Sequence, residues 1–467
     1  MKVTKSLLLG AAAGFVAMSG AQAADLPVKA KPVEYVKICS AYGAGFYYIP
    51  GTDICLRVGG YVFVETGVKG RNAAVDVIYQ NNNFNRDDNY SQWRARGHFI
   101  LDARNNTAYG TLRAYIVAGV SYATTAPAGQ VPSGANTGAS LDRAFIQFAG
   151  FTAGFTESFF SFGGAYSIVA GGSLPWDWLP LIAYTAQLGN GVSATLSVED
   201  GGARRSNILG TPGTGTTSVA GALIGAYGGE LSPDIVANIR VDQAWGSAQI
   251  MGALHEVRTN TVLADGGAGN KWGYAFGGGF EIKTPQTGNP NNSFLAQAQW
   301  TKGAVEYTGL ASSPVTTASA LGFVTGSAAL GAGTFVPIAD AWATETAPGA
   351  VPLSPTSLAL TTAWSAYGAY RHYWTPMLRT GFAVGYTEID NPGIANLNAI
   401  PDAKLFQGFI STIWSPVAGL DLSLDLVYSK VKTGNCVQAA GAAVGEYAVC
   451  NASNDIWTAW TRIRRNF

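Results

Sequence analysis

From Ser91 to Tyr122 the chemistry of the side chains changes at every second residue. Gln92, Arg94, Arg96, His98, Asp102 and Arg104 fall on one side of an extended backbone, and Trp93, Ala95, Phe99, Leu101 and Ala103 on the other. A strand points successive side chains to opposite faces, so this stretch has one charged face and one apolar face. Helical spacing would scatter the same arginines around a cylinder. After a break at Asn105-Asn106-Thr107 the alternation resumes, with Thr111, Arg113 and Tyr115 opposite Leu112, Ala114, Ile116, Ala118 and Val120. The reading is a long antiparallel hairpin. If other segments repeat the pattern, the chain is a barrel with a charged interior and a lipid-facing exterior.

The start of the chain places such a barrel outside the cytoplasm. Lys2 and Lys5 precede an apolar run from Leu7 to Met18, and Ala21-Gln22-Ala23 follows. This is the pattern of a secretory signal, residues 1–23, cut before Ala24. The run is too short to span a bilayer as an anchor. Its removal takes two of the 29 basic side chains and none of the 29 acidic ones, leaving a slight acidic excess. That balance argues against a dedicated nucleic-acid binder. No later run is long and clean enough for a transmembrane helix, and a membrane protein without such helices must close its sheet. Only 12% of residues are charged, whereas Trp, Tyr and Phe number 12, 21 and 21, which suits a lipid-facing surface with interfacial girdles. A soluble β-sandwich array would need several modules, and the sequence has no internal repeat or domain linker.

Four cysteines form two near pairs, Cys39 with Cys55 and Cys436 with Cys450. In an exported chain these read as two local disulfides, each closing a short loop and contributing about 3 kcal/mol. A metal site is disfavoured by the spacing and by the scatter of His98, His255 and His372. No cofactor is expected.

Alternating segments recur to the C-terminus, and short connections alternate with long ones. Leu56 to Glu65 is a first strand, and Gly189-Asn190-Gly191 and Ser415-Pro416 mark tight turns. One connection, Tyr307 to Thr362, is long and carries only Asp340 and Glu345 as charges. The count is about sixteen strands, even-numbered, with both termini at the rim of short turns. The fold class expected is all-β: a transmembrane antiparallel barrel over 56–467, preceded by a 24–55 segment carrying a cysteine pair.

Several blocks resemble the alphaproteobacterial general porins: AAAGFVAMSGAQAADLPVK, VEYVKICSAYGAGFYYIPGTDICLRVGGYV, RAFIQFAGFTAGFTESFF, SPDIVANIRVDQAWGSAQI and the terminal RIRRNF. The resemblance covers nearly the whole chain. It implies a sixteen-stranded homotrimer in the bacterial outer membrane, in contact with lipid and lipopolysaccharide. Such a trimer passes ions and small hydrophilic solutes by passive diffusion. It also implies that the loop after the TESFFSF segment, Ser161 to Leu181, folds into the lumen. A terminal aromatic such as Phe467 looks like the assembly signal of outer-membrane barrels.

These implications define the expected constriction. Glu157 and Asp177 would stand on the side of the infolded loop, with Arg94, Arg96, Arg113 and Arg143 across from them. Opposed charges filter ions by sign and polar solutes by dipole. A solute-selective channel with ligand-binding outer loops is the alternative. Enzyme motifs (His-Glu-x-x-His, Walker A, Gly-x-Ser-x-Gly) do not occur, leaving only His255 with a nearby serine to consider.

Overall fold

On the Ser91 hairpin the alternation becomes geometry. His98 and Asp102 are 1% and 0% exposed, while Phe99 and Leu101 beside them are 64% and 38% exposed. The computed structural model describes residues 37–69, 91–123, 136–164, 166–167, 173–210, 227–262, 268–285, 289–310, 322–325, 334–344, 357–392, 402–433 and 453–467. The signal segment 1–23 and the Cys436/Cys450 pair lie outside the described residues.

The main sheet has seventeen strands, one of which is the two-residue strand Tyr47–Tyr48. The other sixteen form the barrel. They are β1 (Cys55–Lys69), β2 (Ser91–Thr107), β3 (Gly110–Ala123), β4 (Asn136–Phe148), β5 (Phe151–Glu157), β6 (Trp178–Gly189), β7 (Val192–Glu199) and β8 (Asp234–Gln243). There follow β9 (Gly246–Val262), β10 (Ala268–Lys283), β11 (Ser293–Lys302), β12 (Thr362–Thr375), β13 (Leu378–Asp390), β14 (Ala403–Val417), β15 (Leu420–Thr433) and β16 (Ser453–Asn466). Every barrel strand pairs antiparallel with its chain neighbours, and β1 closes on β16 from Tyr61↔Asn466 to Lys69↔Thr458. Closure pairs the edges that hydrocarbon could not hydrogen-bond.

Boundaries shift by a few residues from the sequence reading. The first hairpin turns at Ala108-Tyr109, because Asn105 and Asn106 still pair with Leu112 and Thr111 across the ladder. β1 continues past Glu65 to Lys69, and β6 starts at Trp178, so the infolded loop ends at Asp177 rather than Leu181. At Asn190-Gly191 both φ angles are positive, 51° and 74°, as the tight turn between β6 and β7 requires.

Outward side chains form the greasy belt. Trp93, Trp178, Trp272, Trp300, Trp364 and Trp457 project from the barrel near the long-loop rim, and Trp245, Trp374 and Trp414 near the tight-turn rim. Two such rows bracket the hydrocarbon layer, where amphipathic rings settle at the interfaces. At the tight-turn rim the Cys39–Cys55 disulfide ties the leading segment to the first residue of β1. Phe46 packs beside that bond and lies under Arg57 and Arg104, whose guanidiniums sit 5.4 and 5.1 Å from its ring.

The lumen wall and the infolded loop

The inner faces of β16, β1 and β2 form a register of three rows. Glu65 faces Arg462 on one side and Arg94 on the other. Phe63 faces Arg464 and Arg96, and Tyr61 faces Asn466 and His98. Glu65 is 3% exposed and accepts from Arg94 Nε at 2.5 Å and Arg462 Nε at 2.6 Å. Phe63 is buried beneath Arg94, Arg96 and Arg462, whose guanidinium carbons lie 5.4, 5.8 and 4.6 Å from its ring centre. Arg464 lies over the neighbouring Tyr61 ring at 4.0 Å. Cation–π contact fixes the planes of these guanidiniums while their edges stay polar. Toward the tight-turn rim Asp102, fully buried, holds Arg104 at 2.7 Å and Arg113 at 3.0 Å. Among the described residues no carboxylate comes within 4.0 Å of Arg96 or Arg464.

Below Phe63 the wall is tied across three strands. His98 on β2 faces Gly119 on β3, which faces Ser140 on β4. A Cβ at position 119 would run into the His98 ring and the Gly97 carbonyl, so glycine is what lets the imidazole cross β3. The ring then meets Ser140 Oγ with Nε2 at 2.8 Å, and Asp142 Oδ2 and Tyr61 Oη with Nδ1 at 2.9 and 2.7 Å. The order serine, histidine, aspartate is that of a hydrolytic triad. Here the imidazole is sealed at 1% exposure and shared with a tyrosine, and its work is to pin β1, β2 and β4 together.

The loop from Ser158 to Asp177 leaves the wall after β5 and crosses to the far side of the lumen. Phe160 and Phe162 pack on inward residues Val236, Met251, Ala253 and Ala275 of β8 to β10. Tyr166 packs on Leu295, Tyr367, Ala369, Ala383, Phe409 and Val427. Polar ties follow the same track: Asn238 Nδ2 donates to the Phe159 carbonyl at 2.6 Å, Tyr166 Oη to Glu281 at 2.6 Å, and Gln299 Nε2 to the Ser173 carbonyl at 3.0 Å. The described part of the loop therefore packs against the β8–β13 side, and the cluster around Tyr166 extends to Phe409 on β14 and Val427 on β15.

The two acids expected on that loop occupy its feet. Glu157 is the last residue of β5 and Asp177 the last before β6, and the Ser158 N–H donates to the Asp177 carbonyl at 3.0 Å. Both acids thus sit where the loop departs and returns. Glu157 meets Arg143 at 3.6 Å and Asp177 meets Arg204 at 2.8 Å. Arg94 and Arg113 are held by Glu65 and Asp102 instead. The alternation that singled out Arg94 also runs through Tyr61, Phe63 and Glu65, and through Arg462 and Arg464; applied there it finds the rest of the wall. Arg204, in a loop with no alternation, gave no such signal.

A second polar node sits under the outer loops. Asp340, from the long connection between β11 and β12, is fully buried. It accepts from Val305 N at 2.7 Å, Ser206 N at 2.8 Å and Tyr227 Oη at 2.7 Å. Burial pushes its carboxyl above the ordinary carboxylate range, against the pull of His255 and these donors. His255 bonds Asp234 at 2.8 Å and Tyr227 at 3.3 Å, so no serine is its partner in these contacts. Arg204, also fully buried, lies 4.1 Å over Tyr307. Burial opposes its charge, but Asp177 and the acids around it hold its pKa above the ordinary value. Segments 207–210, 339–344 and 357–360 form a small sheet beside this node, so the nearly uncharged loop is anchored through the buried Asp340.

A model of the porin subfamily matches residues 25–459. Porin Omp2b of Brucella melitensis is 36% identical over 254 residues, which cover 52% of this chain and 63% of the relative. Porin Omp2b of Brucella abortus matches over the same shares. The alignment thus spans less than two thirds of these relatives. In three dimensions the chain is similar to the outer membrane channel DcaP of Acinetobacter baumannii, with a TM-score of 0.59, 15% identity, and 90% and 99% of the two chains covered. At that identity the likeness speaks for the fold alone.

Proposed function

We propose that this chain, which belongs to the porin subfamily, forms a passive water-filled channel in the bacterial outer membrane for ions and small hydrophilic solutes. The observation that carries the reading is one closed sheet with two incompatible faces. Outside are exposed Val, Ile, Phe and Trp side chains between two tryptophan rows, and inside are arginines, acids and glutamines. The first face suits hydrocarbon and the second suits water, and only a barrel standing in a membrane gives each its solvent. In this reading the tight-turn rim is periplasmic and the long-loop rim external.

The narrowing comes from the infolded loop facing the arginine wall. Arg94, Arg96, Arg113 and Arg143, with Glu157 and Asp177 at the feet of the loop, shape the field that solutes cross. Arg462, Arg464 and Glu65 belong to the same wall. The working form is a homotrimer embedded in lipid and lipopolysaccharide, and transport needs no cofactor. Phe467 serves assembly: it continues the closing ladder, its N–H donating to the Gly60 carbonyl at 3.0 Å and its carbonyl accepting from Gly60 at 2.9 Å.

Planar-bilayer recording in a salt gradient tests the channel. Discrete steps with a defined reversal potential are expected, and no conductance from folded protein would overturn the reading. Liposome swelling with graded sugars separates a general from a selective channel. A single size cut-off supports the general one, and one anomalously fast sugar the selective one.

A further inference from the structure

We propose that Arg96 and Arg464, with Tyr61 between their strands, form a subsite for a divalent oxyanion such as inorganic phosphate, resting on the reading of the barrel as a channel. The argument is a pairing census of one wall. In the row above, Glu65 sits between Arg94 and Arg462 and bonds both. In the next row Phe63 occupies the corresponding place between Arg96 and Arg464, and an aromatic ring supplies no charge. Two guanidiniums are thereby left on the lumen side of one row without a carboxylate within 4.0 Å among the described residues. The two acids that border this row have other partners: Asp142 bonds His98 at 2.9 Å and accepts from Tyr61 Oη at 3.4 Å, and Asp421, which faces Arg464 from β15, meets Arg379 at 3.7 Å and accepts from Ser415 Oγ.

Each arginine is also aimed. Arg464 donates Nε to Asn466 at 2.8 Å and is stacked over Tyr61, which leaves its terminal nitrogens as the available donors. Arg96 has its guanidinium carbon 5.8 Å from the Phe63 ring centre and its Nε shut against the wall without an acceptor, so any donors it offers an anion are its terminal nitrogens. Tyr61 and Phe63 are stacked, with ring centres 6.0 Å apart, and form a rigid floor between the two cations. Strands are spaced about 4.8 Å, so the Cα atoms of Arg96 and Arg464 stand about 10 Å apart across β1. Side chains of arginine length converge over that span on one anion carrying several acceptor oxygens. A guanidinium presents its donors in a planar fork, which matches phosphate and is wasted on chloride.

The test is planar-bilayer conductance of the full chain in potassium phosphate and in potassium chloride at pH 7.5. With a subsite, phosphate current saturates with concentration while chloride current keeps rising. Arg96→Gln and Arg464→Gln should each raise the half-saturating phosphate concentration at least about tenfold, the loss expected for one charge-assisted donor pair. Arg240→Gln, which removes an exposed arginine paired with Asp242, should leave it unchanged. Gel mobility before and after heating confirms that each variant is folded. Phosphate current that rises linearly in a channel conducting chloride normally would overturn the subsite and spare the channel. Saturation that survives both substitutions would also overturn it. No conductance in either salt would sink the channel reading itself.

Discussion

Glu65→Gln isolates the electrostatics of the wall with little change of shape. The carboxylate is buried, and bonded by Arg94 and Arg462. The amide keeps the volume and one acceptor but removes a unit of negative charge from a wall already rich in cations. For an ion passing about 6 Å away, Coulomb energy in water is about 0.7 kcal/mol, reduced to about 0.4 kcal/mol by a Debye length of ~10 Å at 0.1 M. The loss penalises cations and favours anions by the same amount, so the anion-to-cation permeability ratio should rise roughly fourfold. At 1 M, where the Debye length is ~3 Å, the same arithmetic leaves about a 1.4-fold change. Removing one partner of a buried ion pair costs about 3–5 kcal/mol, less where the arginines keep partial contact with water as here, so the variant should still fold. The assay is the reversal potential in a tenfold salt gradient, run around both mean concentrations. A shift toward cations, or one equally large at both salts, would refute the electrostatic account and point to a changed pore shape.

Gly119→Ala should lower the yield of folded barrel and its thermal midpoint, because the methyl collides with His98 and the Gly97 carbonyl; overpacking of this kind costs about 1–3 kcal/mol, and a wild-type midpoint would show that the His98 tie is dispensable. Cys39→Ser opens a loop of sequence separation 16, removes about 3 kcal/mol of stabilisation from the leading segment, and should expose that segment to protease while conductance persists. Asp340→Ala strips the acceptor from two backbone amides and Tyr227. External protease should then cut the 302–362 connection faster while the barrel band remains, and unchanged cleavage would mean that other contacts hold the loop. Deleting Phe467 removes two ladder bonds to Gly60 and should reduce heat-modifiable protein in the outer membrane; normal levels would count against an assembly role.

Much of this protein is written in a period of two. Alternation along Ser91–Tyr122 decided strand over helix, and which face is charged. The same period, with the lack of any long apolar helix, decided a closed barrel of about sixteen strands, and the spacing of Cys39 and Cys55 suggested the first disulfide. These features are local: a strand's two faces are set by the residues on it, whichever strands it joins. Tight turns were legible for the same reason, to within the few residues by which ladder pairing outlasted the Asn105-Asn106 signal.

What tertiary structure decided is which charges meet. Glu65 and Arg462 touch because the barrel closes β1 on β16, a contact between the two ends of the chain that no local pattern encodes. The β1–β2 ladder gives Glu65 a second partner in Arg94, Asp102 takes Arg113, and Glu157 and Asp177 are left at the feet of their loop with Arg143 and Arg204. The anchoring of a nearly uncharged loop through Asp340 belongs to the same class, since its donors come from three distant segments. Electrostatic partners are chosen by distances of a few ångströms, and those distances exist only once the register of every strand around the barrel has been fixed.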